Sequence, residues 1–174
     1  MIRYKDRKET KLVILHDSHT ATGTAMDVPR WAALAHDNGL KMGLLAIGYH
    51  YIIERDGTVV SCRGREKIGT HTPGLNLESI GVCLVGGREY VELGPFDDYQ
   101  QPHGVMGATD NFTPAQRHAL LRLLHELRQA YPGIKVRGHT EVQRFRRAGH
   151  PACPPIDMDL LREDLELFAQ GIVL

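Results

Sequence analysis

Near the C-terminal end of the chain, the stretch GHPACPPID (149–157) sets His150 and Cys153 three positions apart among three prolines. Each proline fixes its own backbone dihedral, so the thiol has few conformations open to it. Two histidines fall where strands are expected to end, His16 after KLVIL (11–15) and His139 as the last residue of IKVRGH (134–139). Two imidazoles and one thiolate, with no fourth protein ligand, suit an open tetrahedral site of the catalytic zinc type with water in the fourth position. One thiolate on a divalent ion leaves a charge of about +1, which lowers the pKa of a bound water to roughly 7. The residue types alone leave another reading open, in which His16 and His139 are hydrogen-bonded strand-end residues and Cys153 is a small buried apolar side chain.

The elements that must position these groups are short and alternate in type. KLVIL reads as a buried strand, and GYHYIIERDGTVVSC (48–62) as a hairpin around Asp56-Gly57, a dipeptide suited to a type I′ turn. SIGVCLVGG (79–87) is apolar almost throughout, as strands covered on both faces are. VPRWAALAHDNGL (28–40) predicts a helix with Pro29 near its start and Gly39 near its end. Thr113, Pro114 and Gln116 form a capping-box start to a second helix, whose Leu120, Leu123, Leu124 and Leu127 share one face. MDLLREDLELFAQ (158–170) predicts a final amphipathic helix whose leucines at 160, 161, 165 and 167 are expected in the core. Residues 88–111 show no convincing period and read as a long loop. The fold class expected is α/β, a single domain over 1–174 with a central mixed β-sheet flanked by α-helices.

Composition narrows the function. With 174 residues and 42% hydrophobic content, the chain can bury one core and is short for two domains. Twenty-one basic and 21 acidic residues balance, and the one basic cluster, Arg144, Arg146 and Arg147, is no nucleic-acid footprint. Three widely spaced cysteines do not make a disulfide scaffold, so Cys62 and Cys83 read as reduced core residues. The segment MIRYKDRKETKLVIL holds too short an apolar run for a signal peptide or a membrane span. A cytoplasmic protein without membrane insertion, acting as a monomer, is expected.

The segments LHDSHT (15–20), GYHYIIERDGTV (48–59), SIGVCLVGG (79–87), NFTPAQ (111–116), RGHTEV (137–142) and ACPPID (152–157) occur in order over nearly the whole chain. Together they resemble the zinc-dependent N-acetylmuramoyl-L-alanine amidases of phage lysozyme type, relatives of the bacterial amidase-2 enzymes and the peptidoglycan recognition proteins. The resemblance implies that His16, His139 and Cys153 bind zinc and that Tyr49 stands beside the metal. It implies hydrolysis of the peptidoglycan amide between the lactyl group of N-acetylmuramic acid and L-alanine. Tyr49 would hydrogen-bond either the attacking water or the developing oxyanion, and a phenol with an ordinary pKa of about 10 suits the second role, as donor. Read without the resemblance, Tyr49 is an aromatic strand residue packing with Tyr51. His71, Thr72 and Asn76 in GTHTPGLN (69–76) resemble the segment that faces substrate in this family. There Asn76 offers its amide to the stem peptide, and His71 contacts substrate or caps the loop.

One position departs from the family pattern. Phage members place a lysine two residues before the zinc cysteine, where this chain has Pro151. His150, or failing that Arg147, is expected to reach into that gap, against the plainer reading of His150 as a solvated loop residue. Three classes stay open: a zinc amidase, a non-catalytic peptidoglycan-binding descendant, and a cysteine peptidase using Cys153 with His139. Within the amidase reading, a phage or prophage endolysin for host lysis competes with a cytoplasmic enzyme recycling wall fragments. An endolysin of this kind would wait in the host cytoplasm until a holin-like pore gave it access to the wall in the periplasm.

Overall fold

The computed structural model describes residues 3–21, 47–94, 103–143 and 152–172. The helix predicted over 28–40 lies outside these residues, as do Arg144, Arg146, Arg147, His150 and Pro151. The main sheet is built from β1 (Leu12–Asp17), β3 (Tyr51–Ile53), β4 (Val59–Ser61), β5 (Ser79–Leu84) and β8 (Lys135–Gly138), in the order β4-β3-β5-β1-β8. β1 runs parallel to β5 and β8, and β3 runs parallel to β5 and antiparallel to β4. Every residue of β5 is buried, which is why its sequence reads as one apolar run.

Strand parity divides the sheet into two faces with different tasks. Val13 and Leu15 of β1 join Ile80, Val82 and Leu84 of β5 in the larger core cluster. That cluster is closed by α1 (Pro114–Ala130) through Leu120, Leu123, Leu124 and Leu127, and by α3 (Met158–Ala169) through Leu161 and Leu165. The alternate residues, His16 on β1 and Ser79, Gly81 and Cys83 on β5, therefore fall on the opposite face. There Ile52, Cys83 and Val85 form a small second cluster against Tyr49 and Cys62. One face is the structural core, and the other is left to carry chemistry.

The capping box of α1 is present as expected: Gln116 N donates to Thr113 Oγ1 at 3.1 Å, and Thr113 N donates to Gln116 Oε1 at 3.0 Å. Other expectations need correction. On α3 only Leu161 and Leu165 are buried, while Leu160 is 54% and Leu167 38% exposed, because α3 presents a single narrow stripe to the sheet. The hairpin turn has three loop residues between Glu54 and Thr58, with Gly57 alone at positive φ (87°), so it is not type I′. Residues 88–111, read as a loop, contribute two paired strands instead. β6 (Gly87–Gly94) and β7 (His103–Ala108) are antiparallel, and β2 (Thr20–Ala21) adds to β6 in parallel, giving a separate sheet β2-β6-β7. Glycines at 87, 94, 104 and 107 weaken the β signal of these strands.

Candidate metal centre and active site

His16 lies near the C-terminal end of β1, where the parallel strands open toward solvent. His139 does not end a strand, as the sequence suggests, but opens the one-turn helix α2 (His139–Val142) immediately after β8. Cys153 sits on the segment leading to α3, and Thr140 fastens it beside His139. Cys153 N donates to Thr140 Oγ1 at 2.7 Å, and Thr140 N and Oγ1 donate back to the Cys153 carbonyl at 2.9 and 3.1 Å. The backbone of one candidate ligand is thus pinned on both sides by the residue next to another.

The ligand atoms of His16, His139 and Cys153 all lie within 4.8 Å of one another, and the His16 and His139 ring centroids are 4.4 Å apart. His16 is 2% and Cys153 6% exposed. Burial, followed by the neighbouring His71 and His139, holds His16 well below its ordinary pKa, so it is a neutral imidazole able to ligate. Burial and then the Asp17 carboxylate push the Cys153 thiol up to about 12. A thiol so placed is a poor free nucleophile at neutral pH, since reactive cysteines need neighbours that lower their pKa. A divalent ion would displace that proton, as thiolate ligation requires. The donor set of two nitrogens and one sulfur fits zinc.

A second grouping, Asp17, His19 and Cys153, shares the same thiol. One of its carboxylate oxygens is already paired, since Asp17 Oδ2 lies 3.1 Å from Arg88 Nη1 with almost no exposure of either side chain. Arg88 also donates to the Ala152 carbonyl at 3.2 Å, and Asn111 holds the Arg88 carbonyl and the Gly87 amide. In this way the base of the second sheet is tied to the cysteine segment.

Tyr49 faces the site, its ring centroid 5.1 Å from that of His16. Tyr49 and Tyr51 pack into different clusters, so they do not form a pair. The Cys83 sulfur beside it, then burial, raise the Tyr49 phenol above its ordinary pKa, which keeps its proton in place for donation.

His71 reaches His16 directly, with His71 Nδ1 3.0 Å from His16 Nε2 and from Thr72 Oγ1. Its other nitrogen lies 3.3 Å from Ser79 Oγ. Both ring nitrogens are engaged inside the protein, and burial lowers the pKa to about 3. The Asn76 side-chain oxygen accepts from the amides of His71 and Thr72 at 3.0 and 2.9 Å, closing the turn that carries them. Leu12, Thr72, Pro73, Gly74, Leu75, Glu141, Val142 and Gln143 line a groove of about 770 Å³ between this turn and α2. It is large enough for a small extended ligand and runs up to the residue that touches His16. Thr140, Asp17, Arg88 and Ser79 are the site-building residues that sequence reasoning missed. A threonine directly after a candidate ligand was the available signal for the first.

The sequence matches the family model described as N-acetylmuramoyl-L-alanine amidase over residues 6–155. It is 37% identical over 167 residues to an endolysin of Klebsiella phage KP32, covering 95% of this chain and 94% of that protein. It is 35% identical over 169 residues to the endolysin of Escherichia phage T7, with the same shares covered. The fold is similar to that of the N-acetylmuramoyl-L-alanine amidase LysC from Clostridium intestinale URNW, with a TM-score of 0.61, 19% identity and 95% of each chain covered. With the family model spanning most of its length and three ligand candidates gathered within 4.8 Å, this chain belongs to the N-acetylmuramoyl-L-alanine amidase family.

Proposed function

We propose that this chain is a zinc-dependent endolysin that cuts the amide joining N-acetylmuramic acid to the L-alanine of the stem peptide, with His16, His139 and Cys153 as the metal ligands. The observation that carries the reading is the convergence of those three donors within 4.8 Å on the catalytic face of the sheet.

Zinc held there would supply a Lewis acid that acidifies a water molecule and polarises the scissile carbonyl. The chain's own residues do the rest. The groove between the 72–75 turn and α2 takes the stem peptide in extended form, and Asn76 holds that turn in shape. Tyr49 donates its O–H to the amide oxygen as negative charge gathers there, a role suited to a phenol that does not ionise near neutral pH. Thr140 keeps Cys153 and His139 in a fixed relation throughout. His150 is assigned the cationic role of the family lysine on sequence position alone; full turnover by His150→Ala on purified peptidoglycan overturns that assignment.

No helix among the described residues is long and apolar enough to cross a membrane. As an endolysin, it is proposed to reach the wall through a separate pore-forming partner. The test is turbidity loss of outer-membrane-stripped Gram-negative cells with and without chelator, then zinc add-back and mass spectrometry of the products. Zinc-restored clearing that releases stem peptides with free N-terminal L-alanine supports the proposal. Cleavage of small muropeptides without attack on intact wall favours a recycling role, and wall binding without clearing indicates a binding descendant.

A further inference from the structure

We infer that His71 is a positioning residue, which fixes His16 as the tautomer protonated on Nε2 and so presents its Nδ1 lone pair to the metal. The inference rests on the zinc reading of the preceding subsection and adds a residue to it.

The proton positions follow from one fixed point. Ser79 Oγ lies 2.7 Å from the Leu75 carbonyl, which can only accept, so the serine hydrogen is committed there. Ser79 Oγ can then only accept from His71 Nε2, 3.3 Å away. In the neutral ring this leaves Nδ1 of His71 without a hydrogen. That nitrogen faces His16 Nε2 at 3.0 Å, and two bare lone pairs at that distance would repel. His16 Nε2 therefore carries the hydrogen and donates it. Thr72 Oγ1 lies 3.0 Å from His71 Nδ1 and 3.3 Å from His16 Nε2, so it offers a second route in which its oxygen accepts the His16 hydrogen and its own hydrogen goes to Nδ1; by either route His16 Nε2 carries the proton. The chain Leu75, Ser79, His71, His16 thus transmits one backbone carbonyl's preference to the metal-facing nitrogen. Outer partners of this kind orient a ligating imidazole and set its tautomer.

The test uses the zinc-free full-length chain. In the wild type, long-range proton–nitrogen NMR should show His16 protonated on Nε2, and chelator competition should give a measurable zinc affinity. His71→Leu, similar in bulk and without an acceptor, should lose about 10- to 100-fold in zinc affinity and show a changed cobalt absorption spectrum. His71→Asn keeps an oxygen at the position of Nδ1 and should recover most of the affinity, which a merely space-filling role would not predict. Thermal unfolding of each metal-free variant separates loss of fold from loss of ligation. An unchanged zinc affinity in a folded His71→Leu, or His16 protonated on Nδ1 in the wild type, overturns the inference. A wild type that binds no zinc overturns instead the reading on which it rests.

Discussion

Gly81 and His71 are in contact through the absence of a side chain. A Cβ at position 81, in the middle of the fully buried β5, would fall 2.6 Å from both Cγ and Cδ2 of the His71 ring. Real Cβ atoms do not come so close, so the ring would have to move. Gly81→Ala is therefore expected to displace His71 from His16 and to cost about 1–3 kcal/mol of stability by overpacking. Zinc affinity should fall with it although the substitution touches no ligand. Urea unfolding and chelator competition on the same preparation check both effects, and retention of wild-type zinc affinity would contradict the coupling.

Tyr49→Phe removes one hydroxyl and leaves the ring beside His16. Bound zinc should stay at the wild-type stoichiometry, while kcat on purified peptidoglycan drops by about 10²–10³-fold, the usual cost of losing one oxyanion donor. Because the phenol is held above its ordinary pKa, the wild-type rate should show no alkaline limb from Tyr49 between pH 7 and pH 9.

The buried pair of Asp17 and Arg88 makes a third case. Burial raises the Asp17 carboxyl above its ordinary pKa, and Arg88 at 3.1 Å opposes that rise. Arg88→Met leaves an unmatched buried charge and is expected to cost about 3–5 kcal/mol. Adding Asp17→Asn should return part of that loss, so the double variant should be more stable than Arg88→Met alone. A double-mutant cycle by urea unfolding of the metal-free chain tests this, and strict additivity would show that the pair does not interact.

Local periodicity exposes the core of this molecule but hides much of its site. KLVIL, SIGVCL and the leucine face of α1 announce buried strands and a helix, because burial on both faces or one stripe leaves a direct imprint on composition. His16 and Cys153 can be picked out by type and position. Their joint placement with His139 depends on Thr140 and on the order of the parallel strands, which no window of sequence contains. The second sheet is hidden for a different reason: its strands are glycine-rich, and Asn111 anchors the start of β6 through contacts distant in sequence rather than through local propensity. At His71 the structure shows something the motif does not announce: both its nitrogens have partners within the protein, and the glycine in the centre of β5 was the sign of a close approach.

His50 carries a prediction about pH that is separate from catalysis. It is fully buried, its Nδ1 accepts from the Gly81 amide at 3.0 Å, and its Nε2 donates to the Lys67 carbonyl at 2.7 Å. Both bonds are made by the neutral ring, and burial, the largest cause, lowers its pKa to about 4. The unfolded chain, with an ordinary histidine, binds this proton more readily than the folded one. Stability therefore rises with pH across the window from about 4 to 6.5 and is lost as pH falls through it. The contribution of His50 is about 3 kcal/mol at neutral pH, from about 1.4 kcal/mol per pKa unit. His71, lowered to about 3 chiefly by burial, adds to the slope with the same sign. Urea midpoints of the metal-free protein at pH 7, 6 and 5 should decrease steadily. His50→Asn, which can retain the acceptor for Gly81 without titrating, should start lower at pH 7 and lose less on acidification. If wild type and variant lose stability in parallel, His50 is not the group that carries this part of the acid sensitivity.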